Sequence, residues 1–432
     1  MTSSSPRHHD DLTGNRRENP PSTKAGAVHD PGRSIGALGV PNVPEMAYRR
    51  LITADENLGA APTTATTGGS PWRQGVMRLC IFLAWLLIAG CTFAPTPIGL
   101  DPVTRDARTA AGTFLRGYVD PDGRVVRRDQ GGDTVSEGQA YALLLAQSSG
   151  NADTFARVWA WTAEHLQRPD GLFAYRADAA RVLDQTPASD ADVLIAWALL
   201  RASGIDADRY HQVGRRVAAG VLDNEVLTIP GTGLVLAAGP WATGSPATLN
   251  PSYWSLPAFT ELGRLTGDQR WTQLAGTALE VTRTLTEEGR LLPPDWARVD
   301  GSRIIPTAAP SGSPNQVQYG LDAQRLPVWL AVGCDAQAHQ LATTMRLLLT
   351  PPKRNSALAL RLTGEIINPD EGALPLIATA AAAQSAGRLS ERDQLLHQAD
   401  AVAAAFPGYY QDAWAALGRV FLTTHQLDGC AM

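Results

Sequence analysis

The sequence predicts an all-α fold carried by one domain. Three observations lead there. Apolar residues recur at helical spacing in most windows beyond residue 100, strand-like runs are few, and nothing resembling a linker interrupts residues 92–432. Candidate helices lie at 138–148, 153–166, 191–202, 208–219, 256–265, 374–386, 391–405 and 410–425, separated by short loops containing Gly, Pro and Asp. Between them, Trp271, Leu274, Ala275, Ala278 and Leu285 fall on one helical face, as do Leu341, Met345 and Leu348. Residues 226–229 and 234–238, joined by Pro230-Gly231-Thr232-Gly233, read as one β-hairpin. Strands do not alternate with helices, which disfavours a doubly wound fold, and no short fixed repeat supports a TPR- or HEAT-type array.

Composition narrows the function. The chain has 432 residues, a formal charge of -5 and 44% hydrophobic residues, so a sizeable core is available and general nucleic-acid binding is disfavoured. Four cysteines exclude a disulfide scaffold. Lys24 and Lys353 are the only lysines, a bias that reflects a GC-rich gene and carries no mechanism.

A seam divides the chain. Residues 1–76 are polar and broken by Pro, Gly, Ser and Thr, and read as a disordered tail or as sequence upstream of a true start at Met77. The run at 79–91 is apolar but too short for a spanning helix, and Arg73 and Arg78 precede it. That order is the n-region, h-region and cleavage site of an export signal, so residues 77–91 are assigned to one. Ile88-Ala89-Gly90-Cys91 resembles a bacterial lipobox, which makes Cys91 a candidate lipidation site and leaves a periplasmic, outer-membrane or secreted location open. Cys334 and Cys430 remain, and their spacing decides nothing about pairing.

Two helices open alike. Ser136-Glu137-Gly138-Gln139 and Ser189-Asp190-Ala191-Asp192 read as capping boxes, each with a carboxylate in the first turn. Acidic residues there ordinarily complement the helix dipole. The loop Gly131-Gly132-Asp133-Thr134 and the space left by Gly138 favour a functional reading of Glu137.

Asp133-Thr134-Val135-Ser136-Glu137-Gly138-Gln139-Ala140-Tyr141 resembles the signature opening of glycoside hydrolase family 8. Ala188-Ser189-Asp190-Ala191-Asp192 with Ile195-Ala196-Trp197-Ala198-Leu199-Leu200 is similar to its second signature. Asn250-Pro251-Ser252-Tyr253, Pro294-Asp295-Trp296 and the stretch from Tyr319 through Asp322 and Arg325 to Pro327 follow in the family's order. The resemblance runs from near Gly112 to about Phe421, so residues 92–432 are expected to be the catalytic domain. It is nearest to the endoglucanases that accompany bacterial cellulose synthesis.

That resemblance implies an (α/α)6 barrel with a sugar groove across one end, and inverting hydrolysis of a β-1,4 bond between glucosyl units. Such chemistry needs an acid for the leaving oxygen and a base for the attacking water, about 6.5–9.5 Å apart. By resemblance Glu137 is the acid, Asp322 the base, and Asp190 a sugar-binding residue that also tunes Glu137. A charged Asp190 nearby is expected to push the Glu137 pKa up, against the helix dipole. Arg325 either orients a carboxylate or lies on the surface.

Rings stack on sugar faces, so Tyr253 and Tyr319 lead the candidate binding residues, with Tyr175 and Trp296 behind them. Trp241 and Trp254 are further candidates, while Trp159, Trp161 and Trp271 read as core. Three departures from the family pattern touch chain-length preference: Leu321 stands where an aromatic is usual, Asp206 where Phe or Trp is, and Tyr175 where Trp is. No metal or cofactor motif is present in the sequence. The expected partner is a β-1,4-glucan, with a cellulose synthase complex as a second, any membrane contact made through a lipid anchor, and a monomeric chain. Xylan or chitosan hydrolysis, and a weakly catalytic glycan-binding lipoprotein, stand as alternatives. Retention of Glu137, Asp190 and Asp322 together argues against the second, because a binding module has no need for all three carboxylates.

Overall fold

The computed structural model describes residues 101–428. Twelve α-helices follow one another within them: α1 Pro102–Tyr118, α2 Ser136–Ser149, α3 Ala152–His165, α4 Ser189–Leu200, α5 Ala207–Asn224, α6 Leu256–Thr266, α7 Gln269–Leu285, α8 Leu326–Ala331, α9 Ala336–Leu349, α10 Ala373–Ser385, α11 Leu389–Ala405 and α12 Tyr409–Thr423. Even-numbered helices contact one another in sequence, α2 to α4 to α6 to α8 to α10 to α12, and α12 returns to α2. This closes an inner ring. Each odd-numbered helix packs outside its even neighbours, giving the (α/α)6 barrel.

Side-chain patterning separates the two rings. In α1 the buried residues are Ala107, Ala111, Phe114 and Leu115, one stripe at helical spacing. In α4 every residue from Ser189 to Leu200 is buried, and in α10 every residue from Ala373 to Ala383. A helix apolar all round has to lie inside other helices. The inner ring packs large rings against one another, with Trp329 edge-on to both Trp414 and Phe421. Trp159, Trp161 and Trp271 are buried, as their spacing predicts.

The rings also differ at their N-termini. Side chains cap α1, α3, α7 and α9, through Asp101, Asn151, Asp268 and Asp335. None of the six inner helices is capped by the side chain of its own N-cap residue. The two expected capping boxes are therefore not formed. Each serine is instead the first helical residue, docked on a neighbouring strand or loop: Ser136 N donates to Tyr175 O at 2.9 Å, and Ser189 Oγ to Ala237 O at 2.6 Å. Gln139 turns inward, accepting from Val125 N at 2.7 Å and donating to Thr162 Oγ1 at 2.7 Å.

Four small antiparallel sheets decorate the loops. The expected hairpin is present as β4 Val226–Ile229 and β5 Gly233–Leu236. The others were not anticipated. Strands β1 Thr134–Val135, β2 Arg176–Ala177 and β3 Val182–Asp184 form one sheet. A second joins β6 Thr248–Leu249, β7 Trp296–Asp300 and β8 Arg303–Thr307, and a third pairs β9 Ala357–Leu360 with β10 Ile366–Glu371. They hold the loops that lead into the inner helices. Cys334 is disulfide-bonded. The tail, the apolar run with Cys91, and Cys430 lie outside the described residues.

Candidate active site

Three inner-helix starts bring three carboxylates together on one arginine. Glu137 comes from the first turn of α2, Asp190 from that of α4, and Asp322 from the turn that leads into α8. Arg325 Nη1 donates to Glu137 Oε1 at 2.6 Å and to Asp190 Oδ2 at 2.8 Å. Its Nη2 donates to Asp322 Oδ1 at 3.0 Å and to Ser252 Oγ at 2.8 Å. The Arg325 side chain is only 3% exposed, so the guanidinium is a buried hub and not a surface group. Its flat face lies 5.2 Å from the centre of the Tyr253 ring.

The arrangement decides which oxygen of each carboxyl is available. Glu137 Oε1 receives two donors, Arg325 and the Tyr141 hydroxyl at 2.6 Å. A proton on Glu137 therefore sits on Oε2. Asp322 Oδ1 is held by Arg325, and among the described residues nothing donates to Oδ2, which is left for a water. Glu137 Oε1 and Asp322 Oδ1 thus lie on the two arms of one guanidinium.

Burial sets the charge states. It raises the Glu137 pKa above the usual carboxyl range; Arg325 pulls it back, and Asp190 pushes it up again. Desolvation thus outweighs the neighbouring aspartate that sequence reasoning put first. Burial also raises Asp322, to about 7, with Arg325 lowering it and the carboxylates of Asp295, Glu137 and Asp190 raising it. Gly138 makes room as expected, but for a different group. A Cβ there would meet the Tyr409 hydroxyl at 2.5 Å.

Asp295 braces the Asp322 turn from behind. Its Oδ1 accepts from Gly320 N at 2.8 Å and Ala323 N at 2.9 Å, and Oδ2 from Gln318 Nε2 at 3.0 Å. Ser252 Oγ donates to Asn250 Oδ1 at 2.7 Å while accepting from Arg325. Trp329 Nε1 holds the Ser252 carbonyl at 2.8 Å. On the other side of the site, the Tyr410 hydroxyl donates to Leu321 O at 3.3 Å.

Among the aromatic candidates, Tyr253 and Tyr175 are half-buried at the site, and Tyr175 lies within electrostatic reach of Glu137 and Asp190. Tyr319 differs from expectation. Its ring is 0% exposed and its hydroxyl has no partner among the described residues, so it offers no surface to a sugar. Its backbone instead pairs with Leu360 in both directions, at 2.8 and 2.9 Å, which anchors the Asp322 turn. Trp296 is 4% exposed and packs edge-on against Tyr253, backing that ring rather than forming a platform of its own. Trp254 is core, with Nε1 donating to Leu236 O at 3.0 Å. Sequence reasoning missed Ser252 and Asp295 as site residues although both lie in quoted motifs. It had no signal for Tyr409 or Tyr410.

A helical barrel whose inner N-termini gather three carboxylates on one buried cation has the parts that a carbohydrate-cleaving enzyme needs. Residues 106–359 match the family model for glycosyl hydrolases family 8, and the chain belongs to that family and is a glycoside hydrolase. It is 32% identical over 247 residues to a probable endoglucanase of Novacetimonas hansenii, a stretch covering 53% of this chain and 68% of that protein. An endoglucanase of Cellulomonas uda is 29% identical over 236 residues, covering 52% and 63%. Among solved structures, an endo-beta-1,4-glucanase from Acetobacter xylinum aligns with a TM-score of 0.61 at 26% identity, covering 73% of this chain and 98% of that one. The chain spans about two thirds of the length of these two curated relatives.

Proposed function

We propose that the chain is an endo-β-1,4-glucanase that cleaves with inversion. The observation that carries this is the Arg325 hub, which holds a protonatable Glu137 and a water-facing Asp322 on opposite arms of one guanidinium. The acid gives its Oε2 proton to the leaving glucosyl oxygen. Asp322 Oδ2 takes a proton from the water that attacks the anomeric carbon from the other ring face. Inversion requires room for that water between the two carboxyls. Asp190 accepts from the sugar ring at the point of cleavage, and Tyr253 and Tyr175 contribute apolar faces. The endoglucanase names of the relatives support the β-1,4-glucan as substrate. The sequence around Cys91 supports export and a lipid anchor, and the motif resemblance to endoglucanases that accompany bacterial cellulose synthesis supports a role beside a cellulose synthase.

Reducing-sugar release from carboxymethylcellulose, xylan and chitosan tests the reading, with Glu137→Gln as control. Release from carboxymethylcellulose that is lost in the variant is expected. Release from xylan or chitosan alone would move the substrate, and release unchanged by Glu137→Gln would remove the acid assignment.

A further inference from the structure

A second carboxyl pair lies behind Asp190, outside the machinery described above. Asp192 is two residues along α4, so its side chain leaves the helix on the side away from Asp190. It is 0% exposed, as is Glu225, the residue that ends α5. The Asp192 and Glu225 carboxyls lie close enough to act on each other's protonation. Asp192 Oδ1 accepts from Phe173 N at 2.9 Å, and no other group donates to Asp192 Oδ2 or to either oxygen of Glu225. Among the described residues no cation pairs with either one. The charged groups nearest them are Asp190, Asp170 and Arg168, and Arg168 is already engaged by Asp170 at 2.8 Å.

Two carboxylates cannot bond to each other unless a proton lies between them. Ionising both in a site closed to water and to cations is prohibitive. The surroundings show what the shared proton would hold. The Glu225 carbonyl accepts from Ala237 N at 2.8 Å. The Ala237 carbonyl in turn takes the Ser189 hydroxyl, at the first residue of α4. Phe173 lies two residues before Tyr175, whose carbonyl fixes the start of α2. One small network thus links the starts of α4 and α2 to the end of α5.

We propose that Asp192 and Glu225 are positioning residues that share a single proton, carried on Glu225, and that this bond sets Asp190 and Tyr175 in place for the sugar. The part about the sugar rests on the glucanase reading; the shared proton does not. Burial, with the Asp192 charge, holds Glu225 protonated far above the ordinary carboxyl range. The sign follows. A group that binds its proton more tightly when folded adds stability that declines as pH rises from the ordinary glutamate range toward the folded value.

Infrared spectroscopy and thermal melts on the full chain test this. At about pH 8 the wild type is expected to show the carbonyl stretch of a protonated carboxyl, and Glu225→Gln to lack it. The amide keeps a donor toward Asp192 but cannot ionise. Glu225→Gln should therefore lose part of the wild-type fall in melting temperature between about pH 5 and 9. Glu225→Ala, which breaks the bond, should raise KM for a cello-oligosaccharide several-fold, and Glu225→Gln should rescue it; a KM unchanged in Glu225→Ala would remove the positioning role. Should Glu225→Gln fail to fold, Asp192→Asn removes the same shared proton while its Oδ1 still accepts from Phe173. A wild-type spectrum whose carboxyl band is unchanged in the variant, or identical pH slopes, would overturn the proposal. A chain inactive on every glucan but showing the band and the slope change would leave the shared proton standing and refute the glucanase reading alone.

Discussion

Replacing Arg325 with methionine keeps an unbranched apolar stem and removes the guanidinium with its charge. Three carboxylates then lose a shared cation that now lies 2.6, 2.8 and 3.0 Å from them. Charge-assisted hydrogen bonds contribute about 1.5–3 kcal/mol each, and removing one partner of a buried pair costs about 3–5 kcal/mol. The three bonds share one donor group, so their values do not add, and a total near the upper single figure of about 3–5 kcal/mol is expected. The penalty should depend on pH. Arg325 lowers the pKa of both Glu137 and Asp322, so without it they hold protons to higher pH. Where the carboxylates of the unfolded chain are ionised this costs most, and it shrinks as pH falls toward the ordinary carboxyl range. Urea unfolding of wild type and Arg325→Met at about pH 8 and pH 5 measures both the size and the trend. The variant should also lose activity by more than about a hundredfold, since acid and base are both released. A difference below about 1 kcal/mol at pH 8, or a larger penalty at pH 5, would refute the hub.

Gly138→Ala places a Cβ against the Tyr409 hydroxyl at 2.5 Å, and about 1–3 kcal/mol of destabilisation with a fall in kcat is expected in melts and initial rates. Tyr319→Phe removes a hydroxyl that is buried without a partner among the described residues. Stability should be unchanged or slightly higher and KM for a cello-oligosaccharide unaltered; a raised KM would restore Tyr319 as a sugar contact. Asp322 must be ionised to act as base, and its pKa stands at about 7, so kcat/KM should fall as pH drops through that region. A profile flat from about pH 5 to 8 would contradict the assignment.

Much of the barrel is legible in the sequence because its helices bury stripes or whole surfaces. Trp271, Leu274, Ala278 and Leu285 are buried as their spacing requires. Helix α1 escaped, since its stripe is built partly from alanines, and α8 is only six residues long. Most strands escaped because pieces of two to five residues give no reliable alternation, as with β1 and β7. The apparent capping boxes misled for a local reason: Ser136 and Ser189 bind neighbouring segments, and Gln139 satisfies the 123–125 loop. At the site, Glu137, Asp190, Asp322 and Arg325 were all legible. What joins them was not, because Arg325 reaches across 188 residues to Glu137 and 73 to Ser252. Tyr319 lies in a motif for its backbone, a role that residue type does not reveal.

The stereochemistry of the first product tests the central claim most directly. With Glu137 as the acid and Asp322 as the base, proton NMR of a cello-oligosaccharide digest should show the α-anomer appearing first and the β-anomer growing only by mutarotation, with no product from Glu137→Gln. A β-anomer formed first would mean a covalent intermediate and would contradict the assignment of Asp322 as a base.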